Sequence, residues 1–161
     1  MKNDGFVMKE KMKAFIVIVS HESVLLQKQP EGNWGLPNVE VDSVASESEI
    51  MNILDQGLRK ICFRLNIPPD SKGDKMLLFS FEGEEVVMVN LQYSDLLFSG
   101  DYGKIVFQES IRNKKLGYFS GGMFASIVSP LEQSLIEEAL RLKEAKRSCH
   151  RPLFCFFKNV D

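Results

Sequence analysis

The chain has 161 residues, 44% of them apolar and 26% charged, which is enough for one compact domain to bury a core without disulfide staples. Twenty Lys plus Arg against 22 Asp plus Glu leave a formal charge of -2, which excludes the broad basic footprint of a duplex-binding protein. Small or individual partners are therefore expected, and extended nucleic acid is not. Cys62, Cys149 and Cys155 form no Cys-x-x-Cys pair, so a reducing compartment is expected, with the cytoplasm as the simplest reading.

The first residues, MKNDGFVMKEKMK, are polar and lysine-bearing, and the apolar run behind them is too short for an export-signal core or a membrane span. That run, residues 14–19 (AFIVIV), is continuous and β-branched, so a strand buried on both faces is predicted. Residues 24–29 (VLLQKQ) form a second strand, and His21-Glu22-Ser23 is the turn of a hairpin between them. Residues 30–38 (PEGNWGLPN) are dense in turn formers, and Trp34 is the expected anchor of that loop.

Ser46-Glu47-Ser48-Glu49 has the capping-box pattern, in which a serine hydroxyl and a glutamate three places on satisfy free backbone amides at a helix start. Ile50, Leu54, Leu58, Ile61 and Leu65 then recur every three or four residues, predicting a helix that runs until Pro68-Pro69 stops it. Residues 75–81 and 85–93 are apolar and β-prone around Glu82-Gly83-Glu84, which predicts a second hairpin. Residues 104–108 (KIVFQ) are a weaker strand candidate, and Gly121-Gly122 marks a bend. Ser129-Pro130-Leu131-Glu132 is another capping box, with proline at its favoured first helical position, and an amphipathic run follows to about Lys146. There is no internal repeat, low-complexity tract or linker, and the element order suggests helices on both faces of a mixed sheet.

Two stretches carry a family resemblance. VLLQKQPEGNWGLPNVEV places Gly32, Trp34, Leu36 and Pro37 on the Gly-x-Trp-x-Leu-Pro that leads into the Nudix box. LGYFSGGMFASIVSPLEQSLIEEALRLK resembles the same family's closing segment, where an aromatic pair, here Tyr118-Phe119, precedes a last helix rich in Leu, Glu and Ala. The resemblance spans about Met12 to Lys146 and implies a Nudix-like α/β/α sandwich with a mixed β-sheet, occupying residues 12–147. Residues 1–11 are then an N-terminal segment and residues 148–161 an apolar tail, expected to dock on the domain rather than on a partner. Family resemblance also makes a homodimer reasonable.

The departures from the motif matter more than the matches. A Nudix box carries glycines after Leu-Pro and then Arg-Glu-apolar-x-Glu-Glu-x-Gly-apolar on one helix. Its glutamates hold magnesium against a pyrophosphate, because a hard cation needs carboxylate oxygens. Aligning the helix by its predicted ending keeps Arg59 as the arginine but puts Lys60, Phe63 and Arg64 where three glutamates would stand, with Asn38 and Val39 in place of the glycines. The spacing from Pro37 to Arg59 exceeds the usual motif by about half a dozen residues, which leaves this register open.

In that register Lys60 and Arg64 lie one helical turn apart and repel a metal. They are either direct phosphate contacts or solvated surface charges. Trp34, Arg59, Lys60, Arg64 and Tyr118 are accordingly the expected ligand-binding set, with Tyr118 a better stacking candidate than Phe119. No metal or other cofactor is expected. Magnesium enters only under the alternative of an active hydrolase of nucleoside-diphosphate-linked substrates, for which Glu40, Glu47 and Glu49 are the candidate catalytic acids, although Glu49 also fits the helix cap. A third reading is a protein-interaction domain without ligand. Cys149-His150 with Cys155 makes a poor zinc motif, and His21 has no nucleophile pattern around it. Arg141, Lys143, Lys146, Arg147 and Arg151 suit the negative end of the last helix without invoking nucleic acid.

Overall fold

The computed structural model describes residues 11–42, 46–67, 75–120 and 126–148, with the side chains of residues 47 and 144–148 excepted. Cys149, His150, Cys155, the apolar tail and Gly121-Gly122 lie outside the described residues.

The 14–19 run forms the centre of β1 (Lys11–Ser20), and every residue from Ala14 to Val19 is buried. A strand with both faces covered must be apolar at odd and even positions alike, which is what this stretch provides. Its two faces feed two cores: Ala14, Ile16 and Ile18 on one side, Phe15, Val17 and Val19 on the other. His21, at φ 58°, turns the chain into β2 (Ser23–Lys28), and Val19 pairs with Val24.

Trp34 and Gly35 (β3) return along β2, with Lys28 opposite Trp34. The Trp34 ring meets Phe119 edge-on at 4.8 Å, and Lys28 Nζ lies 5.2 Å above its centre, so the tryptophan does anchor the loop. β4 (Asn38–Asp42) runs antiparallel to the first half of β1, with Lys13 opposite Glu40 and Phe15 opposite Asn38. The hairpin of β6 (Met76–Phe81) and β7 (Glu84–Gln92) forms as predicted, its turn made by Glu82 and Gly83, both at positive φ. β7 lies parallel to β1, and β9 (Leu116–Ser120) adds to β2, giving a mixed sheet of seven described strands. β5 (Phe63–Leu65) and β8 (Leu96–Phe98) form a separate two-stranded ladder.

Helices cover both faces. Leu54 and Leu58 of α1 (Glu47–Lys60) and Phe107 of α2 (Gly100–Arg112) join the core under Ile16 and Ile18. Leu135, Ile136, Ala139 and Leu142 of α3 (Pro130–Ser148) join the core under Val17 and Val19. Each fully buried Leu or Ile among them contributes about 1.5–3 kcal/mol. Both predicted capping boxes are present, and Lys143 Nζ donates to the His21 carbonyl, fastening the far part of α3 to the β1–β2 turn. Among the described residues no helix is long and apolar enough to cross a membrane.

Two elements correct the sequence expectations. The first helix does not run to the prolines but ends at Lys60, because Cys62 is left-handed at φ 74° and its amide turns back to the Arg59 carbonyl at 3.0 Å. Phe63 and Leu65 then alternate as a strand, and Phe63 is buried, stacked on Phe98 at 5.3 Å and tilted against Phe107 at 5.0 Å. Ile61 and Leu65 fit a helical stripe, whereas Ile61, Phe63 and Leu65 together fit a period of two, so the stripe alone misassigned the ending. Residues 104–108 are likewise helical, not a strand: buried Gly103 and Phe107 are one turn apart on α2, and Gly103 lets that helix close onto the Cys62 carbonyl, 3.3 Å from where a Cβ would sit.

Candidate functional site

Two adjoining clefts open where β4 crosses the start of β1. The first, about 490 Å³, lies against α1 and is lined by Lys13, Asn38, Val39, Glu40, Gln56 and Lys60 among others. The second, about 510 Å³, lies toward the start of α3. Lys13 and Asn38 line both, so they form the partition between the two lobes.

The wall is rigidly tied. Ile16 N–H donates to the Pro37 carbonyl at 2.8 Å, Asn38 Nδ2 donates to the Leu36 carbonyl at 3.1 Å, and Leu36 N–H donates to Glu132 Oε2 at 2.8 Å. The last of these connects the Trp34 loop to the cap of α3. Gly57 explains how α1 reaches the wall: a Cβ there would come 2.6 Å from Val39 Cγ1, so only glycine allows this helix–strand approach without displacement.

The α1 lobe holds Lys13 and Lys60 beside one carboxylate, Glu40. Gln56 and Lys60 are four residues apart on a helix and so share one face, while Lys13 and Glu40 face each other across the β1–β4 ladder. Such a surface offers ammonium and amide donors to an anion. Among the described residues no three His, Cys, Asp or Glu side chains gather where a metal ion would fit.

The expected site residues separate in space. Lys60 lines the α1 lobe, whereas Arg59 is exposed at the end of α1 and lines neither cleft. Arg64 is exposed on β5 opposite Leu97, so Lys60 and Arg64 do not lie one helical turn apart. Trp34 belongs to the α3-side core, but Tyr118, adjacent to Phe119 on β9, belongs to the α1-side core. Strand alternation thus puts Trp34 and Tyr118 on opposite faces of the sheet, and they cannot flank one ring. Tyr118 packs edge-on against Tyr93 at 6.0 Å, its buried hydroxyl has no hydrogen-bond partner among the described residues, and burial followed by the neighbouring Tyr93 pushes its pKa up. Of the candidate acids, Glu40 lines the α1 lobe, while Glu49 is committed to the cap, accepting from Ser46 N–H at 2.8 Å. The Glu47 side chain is outside the described residues. Lys13 and Gln56 were missed by sequence reasoning, because nothing local distinguishes a strand-edge lysine or a mid-helix glutamine until β4 closes over them.

No family model matches the chain, and no curated protein matches it. Among solved structures, one match is a chain in the crystal structure of the complex between the C-terminal domain of mouse MUTYH and human PCNA. It has 16% identity and a TM-score of 0.45, covering 92% of this chain and 98% of that one. Another is a bifunctional NMN adenylyltransferase/ADP ribose pyrophosphatase from Francisella tularensis, complexed with AMP and a manganese ion. It has 12% identity and a TM-score of 0.46, covering 84% of this chain and 42% of that one.

Proposed function

We propose that this chain is a Nudix-like domain that binds a nucleotide or another phosphorylated small molecule without metal-dependent pyrophosphohydrolase activity. The observation that carries this reading is the α1 lobe, a cleft of about 490 Å³ whose lining includes Lys13, Lys60 and a single carboxylate residue, Glu40.

A second register for the motif follows from placing its glycine at the turn after α1. Glycine is the residue best suited to a left-handed position after a helix, and in this chain that position is Cys62 at φ 74°. Gln56, Arg59 and Lys60 then stand where the glutamates would be, with Asp55 in the arginine's place. The motif also moves four positions nearer Pro37, which cuts the excess spacing from about half a dozen residues to about two. In this register Lys60 still stands at a glutamate position, Arg59 joins it, and Phe63 and Arg64 fall outside the acidic positions.

Magnesium does not suit this donor set. A hard divalent cation takes several oxygen ligands, and Glu40 is the one carboxylate residue lining this lobe, which Lys13 and Lys60 also line. The same ammonium groups suit phosphate oxygens directly. The hydrolase reading needs at least two of its acids in one cleft, and Glu49 at the cap does not supply the second. The open lobe likewise disfavours a bare scaffold, in which side chains would fill it.

Calorimetry of the full chain with adenosine diphosphate, with and without magnesium, tests the proposal. Binding that is indifferent to magnesium and drops about tenfold in Lys60→Ala, the loss of one charge-assisted contact, is expected. Magnesium-dependent binding with release of phosphate would overturn it.

A further inference from the structure

We infer that residues 152–157 (PLFCFF) complete the sheet as a further strand, laid parallel to β6 along its outer edge. This docking surface is independent of what the clefts bind.

β6 pairs with β7 on one side, and among the described residues no strand pairs with its other side. A strand in that position turns every second N–H and C=O outward, and sheets blunt such an edge with charge, proline or a bulge. β6 (MLLFSF) has none of these: no residue is charged or proline, and its pairing with β7 runs without interruption from Met76 opposite Val89 to Phe81 opposite Glu84. Leu78 is 55% exposed, so the surface beside the open edge is apolar as well. An uncharged six-residue edge of this kind pairs readily with another apolar strand.

The path of α3 identifies that strand. The helix starts in the cleft that Phe81, Glu82 and Glu84 line, touches β1 and β6, and passes the His21 carbonyl at Lys143. His21 follows the end of β1, where Val19 lies beside Gln92, just past the Val89 that faces Met76. Residues 149–161 therefore leave α3 at the end of the sheet where β6 begins. Cys149, His150 and Arg151 give a reach of roughly 13 Å, enough for the step of about 10 Å between packed layers. A chain turning back from there runs in the direction of β6 and enters with proline, which a strand tolerates at its first position. Six apolar residues then lie along the six of β6, and Lys158 arrives at the exposed Glu82 and Glu84 of the β6–β7 turn. The opposite direction would bring Lys158 to Lys75 and forfeit that attraction. A second copy joined at β6 would still leave Phe154, Phe156 and Phe157 to be covered elsewhere.

Hydrogen exchange read by mass spectrometry compares the full chain with one ending at Ser148. Alternate amides of β6 are expected to exchange at least about tenfold faster in the shorter chain, while those of β1 stay protected. In the full chain a carbodiimide should join Lys158 to Glu82 or Glu84 in a product of single-chain mass, and Lys158→Ala should abolish that link. Equal exchange of β6 in the two chains would overturn the inference. So would a link between two chains, which gives the edge to a second copy, or a link from Lys158 to Asp95, the partner of Lys75 at the other end of β6. If the shorter chain loses protection in β1 as well, it has unfolded, and the presence or absence of the Lys158 link in the full chain decides.

Discussion

The two helix starts obey the same four-residue rule and do different work. At α1, Glu49 N–H donates to Ser46 Oγ at 3.2 Å and Ser46 N–H donates to Glu49 Oε1 at 2.8 Å, a closed local exchange in solvent. At α3, Glu132 N–H donates to Ser129 Oγ at 3.3 Å, and Glu132 Oε1 accepts from both the amide and the hydroxyl of Ser129. Its other oxygen, Oε2, accepts from Leu36 N–H, 96 residues away in the chain. A carboxylate has two oxygens, and a capping box uses one. Where the second faces water the cap is a local device; where it meets a buried amide the cap becomes a tertiary tie that holds the wall between two clefts.

The sharpest way to break this comparison is to remove each glutamate in turn. Glu132→Ala removes a cap and strands the Leu36 amide beneath a fully buried Leu36 side chain, so urea denaturation should show a loss of about 2–3 kcal/mol. Glu49→Ala should cost about 1 kcal/mol, because water replaces its bonds. Equal losses would mean that the long-range bond contributes nothing. Between these two falls Gly57→Ala on the other side of the wall: the new methyl meets Val39, costing about 1–3 kcal/mol, against which better helix propensity returns about 1 kcal/mol. Adding Val39→Ala should relieve part of the damage; two costs that simply add would refute the close approach as their cause.

The smallest effect at neutral pH belongs to Tyr118. Its hydroxyl is buried without a partner among the described residues, so Tyr118→Phe should change stability by less than about 1 kcal/mol, and in the favourable direction. The pH dependence has a definite sign. Burial raises the folded-state pKa above the unfolded value of about 10, so this group's contribution is fully present below that value and is lost as the pH rises above it. Alkaline unfolding monitored by circular dichroism should therefore move to higher pH in the phenylalanine variant, and an unmoved midpoint would show that Tyr118 ionises freely in the folded protein.

Much of the framework was legible from local pattern. An apolar run without alternation announced β1, turn residues between β-prone runs announced the β6–β7 hairpin, and Ser-x-x-Glu announced both helix starts, because each signal is complete within a few residues. The candidate site was less legible. Lys60 was grouped with Arg64, which lies on β5 and away from the cleft that Lys60 lines, and Trp34 was identified as an anchor but paired with a tyrosine on the opposite face.

The sequence by itself determined where β1, β2 and the β6–β7 hairpin run and where the caps of α1 and α3 begin, since periodicity and backbone-amide satisfaction are short-range properties. Only the tertiary structure decided where α1 stops, that residues 100–112 are helical, and which charges share a cleft. Those outcomes depend on contacts between distant segments: Gly57 against Val39, Gly103 against the Cys62 carbonyl, and Leu36 on Glu132. A short apolar run that satisfies two periodicities takes the one whose buried face finds a partner, and no local window contains that partner.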